Sequence, residues 1–291
     1  MSKPRKLRVL EVGDIPVREV SGLALQGSKL LAVGDRDPIV LTAPLGPWPL
    51  TWNGADLTGL ALPDRGTQFE AIEPVDEASV LILQEQPARV LHLDVARRAL
   101  LGTVQLEVPG GHRLRAGWLG DSSSRGESLI LADRGHLLVI KEKHPPAILE
   151  FGPAGDASVG WRRGDRAVSP PAGDHPFTVL ATWRPTPELT RWLPDISDAT
   201  VGPDGHLYLL SDQGSAIARL PEALIPGGGE VVPEAIWRIA GAPGNAEGLV
   251  ILDDGTPLVA LDTKSPGRNL LRLERLNPSG ARGARNRGDF P

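Results

Sequence analysis

An all-β chain folded as a single-domain β-propeller of six blades is what this sequence predicts, and three observations predict it. A unit reading acid, apolar strand, tight turn, apolar strand, acid recurs along the chain. Its strands are short, and two of its turns, Asp204-Gly205 and Asp254-Gly255, carry the Asp-Gly pair that hairpins prefer. Gly 34 and Pro 28 among 291 residues punctuate the chain too often for long helices, while a hydrophobic share of 41% suffices for a core.

The units follow in order. The first has strands at Glu19 to Leu25, Leu30 to Asp35 and Ile39 to Leu41. The second has Glu70 to Val75, Val80 to Glu85 and Val90 to Leu93. In the third, Leu114 to Leu119 leads through an insertion, Asp121 to Gly126, into Leu129 to Asp133. Here Arg115 stands where the other units open with an acid. Two more units run from Asp198 through Asp212 to Leu220 and from Glu247 through Asp262 to Leu273. The 83 residues from Arg115 to Asp198 correspond to about two repeats at the roughly 40–50-residue period of propeller blades. A degenerate unit at Asp156 to Val159, with Phe177 to Thr182, fills that gap and makes six, with five, or seven with a split blade, as the alternatives. Arg8 to Val12 has the pattern of an outer strand beside the last unit, so N- and C-terminal strands together close the ring. The propeller then occupies residues 1–276, and the Gly- and Arg-rich residues 277–291 form a disordered tail.

Composition excludes several classes. There is no cysteine, hence no disulfide, thiolate nucleophile or Cys-bound zinc. A net charge of −5 without a basic stripe argues against nucleic acid. No stretch approaches the ~20 apolar residues of a membrane span, and the basic N-terminus lacks the apolar run of a signal peptide. The expectation is a soluble, cytoplasmic monomer with a small-molecule substrate. His-Glu-x-x-His, Gly-x-Ser-x-Gly and P-loop patterns are all missing. His112 and His136, flanking the third unit, are the histidines placed to act as a base.

Hairpin geometry gathers the acids. If the first strand of each unit is innermost, it starts at one face of the disc, and the second strand returns to that face. The opening acids Glu19, Glu70, Asp198 and Glu247 then lie nearest the axis, interrupted by Arg115. The closing acids Asp35, Glu85, Asp133, Asp212 and Asp262 form a wider ring. Carboxylates so crowded repel one another unless a cation or protons intervene. Calcium takes about six to eight oxygen ligands in loose geometry. Glu19, Glu70, Asp198 and Glu247 are thus the expected calcium ligands, and Glu70, Glu247 and Arg115 the expected catalytic residues. An inert network of the same acids paired with Arg115 is the alternative.

The stretches Glu19-Val20-Ser21-Gly22-Leu23, Phe69-Glu70-Ala71-Ile72 and Asn245-Ala246-Glu247-Gly248-Leu249, with the Asp-Arg and Ser-Asp pairs closing the second strands, resemble the phytase-like esterase and SdiA-regulated propeller families. The resemblance covers about residues 17–275. More distantly the chain resembles gluconolactonase and strictosidine synthase-like propellers, whose central site holds a divalent metal or a catalytic Glu; Arg115 departs from the lactonase pattern. The resemblance implies an esterase-like hydrolase. The leading expectation is calcium-assisted hydrolysis of an ester, lactone or phosphoester at the channel mouth, with one carboxylate as general base. A metal-independent acid/base cyclase or isomerase, and a non-catalytic propeller that binds a ligand or protein, are the other two readings.

Overall fold

The structure, a computed structural model, describes residues 4–60, 68–120, 125–163, 176–241 and 244–277. These residues form five four-stranded blades. Blade 1 is Val20–Gln26, Lys29–Gly34, Ile39–Pro44 and Asn53–Asp56, each strand antiparallel to the one before. Blade 2 is Phe69–Pro74, Ser79–Gln84, Arg89–Asp94 and Ala99–Glu107. Blade 3 is Ser128–Leu131, Leu137–Lys141, Ala147–Pro153 and Phe177–Pro185. Blade 4 is Asp198–Val201, Leu207–Ser211, Ala216–Arg219 and Ala235–Ile239, with Arg5–Leu7 added in parallel at its edge. Blade 5 takes Ala246–Ile251, Pro257–Leu261 and Leu270–Leu273 from the end of the chain and Val9–Gly13 from its beginning.

The first strands contact one another in a closed order, blade 1 through blade 5 and back to blade 1. The ring therefore closes with five blades, not six. The surplus length assigned to a sixth unit belongs to blade 3. Phe177–Pro185 is that blade's outermost strand, and Asp156 to Val159 lies in the long connection leading to it. Leu114 to Leu119, expected as a first strand, is instead the helix Arg115–Gly120. Leu114 and Trp118 are four residues apart and both buried, the spacing of one helix face; Trp118 packs on Phe151 with ring centroids 5.5 Å apart. A six-residue apolar run fits either period, and tertiary packing chose the helix.

Closure by the two chain ends is borne out. Val9–Gly13 pairs antiparallel with Leu270–Leu273, and Asn269 clamps the segment that follows. Its Oδ1 accepts from the Ile15 N–H at 2.7 Å, while its Nδ2 donates to the Ile15 and Val17 carbonyls at 3.1 and 3.0 Å. The expected tail, apart from Asn277, lies outside the described residues.

Each interface between neighbouring blades holds one apolar cluster, made by the two-residue period of the strands. In Ser79–Gln84, Val80 and Ile82 face blade 1 while Leu81 and Leu83 face blade 3. Both faces of the strand are covered, which is why it reads as a continuous apolar run. Burying each such side chain contributes about 1.5–3 kcal/mol. The same packing fixes where the first strands begin, and hence what faces the channel. Among the described residues no helix is long and apolar enough to cross a membrane.

Candidate functional site

One position per blade lies at or just before the start of the first strand, and those of blades 1, 2, 3 and 5 line the channel mouth. In blades 1, 2 and 5 it is the extra residue of a β-bulge: Ser21, Glu70 and Glu247. In blades 3 and 4 it is the residue preceding the strand. The Glu127 N–H bonds to the Ile140 carbonyl and the Ser197 N–H to the Leu210 carbonyl, both at 3.0 Å. Two residues upstream of each bulge the backbone is left-handed, with φ of 51° at Glu19, 35° at Gln68 and 57° at Asn245. The carbonyls of these residues accept the N–H of Asp35, Glu85 and Asp262, the acids that close the second strands. This return holds the closing acids beside the opening position. The closing acid follows the opening residue by fifteen positions in blades 2 to 5 (Glu85, Glu142, Asp212, Asp262) and by fourteen in blade 1 (Asp35).

The two serines and three glutamates behave differently. Ser21 Oγ donates to the Phe69 carbonyl of blade 2, and Ser197 Oγ to the Ala246 carbonyl of blade 5 at 2.6 Å, so each serine ties two blades together. The side-chain carboxyls of Glu70, Glu127 and Glu247 have no hydrogen-bond partner among the described residues. They line a mouth cavity of about 200 Å³ together with Glu19, Asp35, Glu142, Asp262 and Lys143. Glu19 is held by Arg36, which also reaches Asp35 at 3.2 Å, and Lys143 pairs with Glu142 at 2.5 Å.

Seven carboxyl groups thus face one small space. Burial, followed by the charges of Glu85 and Asp35, pushes the Glu70 carboxyl well up. Burial and then Glu70 and Glu142 do the same to Glu127. Glu247 is raised to about 9 by burial, Glu142 and Asp212. Burial raises Glu85 to about 7, opposed by the Arg125 N–H that bonds its Oε1 at 3.1 Å. At neutral pH Glu247 therefore carries a proton, as a carboxylic acid.

The structure brings Glu19, Glu70 and Glu247 to the mouth, where the hairpin argument placed them. It puts two other expected residues elsewhere. Asp198 stands one position past the ring and accepts the Leu249 N–H of blade 5 at 2.6 Å. With Glu73 it lines a second cavity of about 180 Å³ further along the channel, where burial raises both carboxyls to about 8. Arg115, on its helix, donates to the Val108 carbonyl and is not among the residues lining the mouth. The acid of blade 3 is Glu127, and its closing acid is Glu142. Asp133 sits in the turn between the first two strands. The sequence did hold the missed signal: Glu127-Ser-Leu matches Glu70-Ala-Ile and Glu247-Gly-Leu, with an acid fifteen residues on in each case. Of the two histidines, His136 is buried 2.7 Å from Glu150, and His112 lies 3.3 Å from the Thr182 hydroxyl.

Oxygen donors of this kind suit a hard cation, but among the described residues no three acidic or histidine side chains are grouped to hold one. No step is assigned to a cation here.

Neither a family pattern nor a curated protein sequence matches the chain. Solved structures do match in shape. Myxococcus xanthus glutaminyl cyclase covers 94% of this chain and 100% of its own, at 11% identity and a TM-score of 0.55. The fold is that of the β-propellers. A Staphylococcus aureus virginiamycin B lyase (11% identity, 90% of this chain, 72% of that one, TM-score 0.40) and the WD40 propeller domain of Doa1 (10%, 92%, 96%, 0.48) also match. The likeness shows the propeller fold alone and does not single out the esterase-like families named above, because one fold hosts many chemistries.

Proposed function

We propose that this propeller is a small-molecule enzyme that moves protons between carboxyl groups at its channel mouth. The observation that carries the reading is the convergence of Glu70, Glu127 and Glu247, at equivalent positions of three blades, on one cavity, with no hydrogen-bond partner for their carboxyls among the described residues. Hairpin stability does not require an acid there; the serines of blades 1 and 4 fill the same position and tie blades together.

Glu70 and Glu127 lie on neighbouring blades, both carboxyls are raised by burial and by nearby carboxylates, and Glu70 is among those acting on Glu127. In the half-protonated state the ionised member is a base, and Glu247 is an acid. A proton taken from one substrate atom and another returned elsewhere is the balance of an isomerisation or an intramolecular cyclisation. Neither needs a co-reactant. The metal-independent reading is therefore the one this geometry supports, ahead of calcium-assisted hydrolysis.

The test replaces each acid by its amide. Turnover is sought on small amines, amides, esters and lactones, with products followed by mass spectrometry. We expect Glu70→Gln and Glu127→Gln each to lose at least ~100-fold, with circular dichroism unchanged. No turnover by the wild-type chain, or turnover that survives in all three Gln variants, would overturn the proposal.

A further inference from the structure

We infer that the mouth binds a small molecule carrying a primary ammonium group, seated among Glu70, Glu127 and Glu247 and exchanging with the side chain of Lys143. The inference rests on the mouth being the site proposed above, but not on any turnover there.

Two independent observations point to such a ligand. The carboxyl groups of Glu70 and Glu127 are deeply buried, although each residue keeps an edge on the cavity, and neither has a hydrogen-bond donor among the described residues. Buried polar groups in native proteins are paired, so acceptors left open toward a cavity call for a donor from outside the chain. An ionised carboxylate accepts only, and an ammonium brings three N–H donors together with the charge that favours the ionised form of Glu70 and Glu127. The second observation is Lys143. Its ammonium lines the same cavity and pairs with Glu142 at 2.5 Å. The chain itself thus seats one ammonium at this mouth.

Size and sign narrow the ligand further. A cavity of about 200 Å³ corresponds to roughly six or seven water volumes at ~30 Å³ each. That accommodates a short amine and not a drug-sized molecule, whose pockets run to about 300–1,000 Å³. An anionic phosphoester meets seven carboxyl groups countered by Lys143 and, at the rim, Arg36; its charge has the wrong sign.

Isothermal titration and thermal shift on the full chain at pH 8 test this, with propylammonium and 1,4-diaminobutane as probes. 1-Propanol and propionate serve as neutral and anionic controls, and calcium chloride as the metal arm. The amines are expected to bind saturably and raise the melting temperature, and the two controls are not. Glu127→Gln should weaken amine binding at least ~10-fold. Lys143→Met, which removes the competing ammonium, should leave it equal or tighter. Absence of saturable amine binding, equal shifts with 1-propanol, affinity unchanged in Glu127→Gln, or binding of calcium alone would each overturn the inference. If the amines fail while neutral substrates are turned over, only this inference falls. If they bind and no substrate reacts, the acid–base proposal falls and the ammonium site stands.

Discussion

Glu70 and Glu127 stand on adjacent innermost strands facing one cavity, and after burial itself the charge of Glu70 is what most raises the Glu127 carboxyl. Among the described residues neither is paired with a lysine or arginine of its own; Lys143 pairs with Glu142, and Arg36 with Glu19 and Asp35. A pair of this kind holds protons at pH values where an ordinary carboxyl has lost them.

Glu70→Gln removes one charge and keeps the shape. The Glu127 midpoint is expected to fall, while burial keeps it above the ordinary range near 4.5. Carboxyl-carbon NMR across a pH titration reads this directly; an unmoved Glu127 midpoint would show that the two do not communicate.

Stability follows from the same groups. Folded-state values are raised to about 7 at Glu85, about 8 at Glu73 and Asp198 and about 9 at Glu247. Groups raised on folding contribute stability that is fully present below their unfolded values and lost as pH rises through the folded ones. The melting temperature should therefore fall steadily from about pH 5 to pH 9.5, each fully displaced group contributing about 1.4 kcal/mol per pH unit within its own window. Glu247→Gln should raise the melting temperature at pH 8–9 and flatten the alkaline end of the profile. A wild-type profile that rises between pH 6 and 9 would contradict the burial of these acids.

Asn269 makes three hydrogen bonds to a segment more than 250 residues away, with no exposure to water. Asn269→Ala leaves the Ile15 and Val17 backbone groups buried and unpaired, an expected loss of about 2–4 kcal/mol in urea unfolding. A loss under about 1 kcal/mol would show that the terminal strands close the ring without it.

Gln68 adopts a φ of 35°, and its carbonyl accepts the Glu85 N–H at 3.1 Å. A β-branched residue tolerates that conformation poorly, so Gln68→Val should cost about 1–2 kcal/mol. Gln68→Gly should stay within about 0.5 kcal/mol of the wild type. Equal stability of the two variants would mean that the left-handed turn is not what positions Glu70.

The sequence by itself determined the propeller, the closure of its ring by Val9–Gly13, and the collection of acids on one face. All three follow from local pattern: the two-residue period of buried strands, tight turns, and hairpins that return to the face they left. The tertiary structure decided the number of blades and the membership of the acidic ring. A run such as Leu114 to Leu119 satisfies helix and strand periods alike, and only its packing on Phe151 settles which forms. Once that run is a helix, the ring position of blade 3 passes from Arg115 to Glu127, and a ring interrupted by a cation becomes one with three unpartnered acids. Asp198 fell outside for a related reason: one step along a strand is enough to move a carboxyl from the mouth to a backbone N–H of the next blade. Register is set by contacts between distant segments, and no local stretch of sequence contains them.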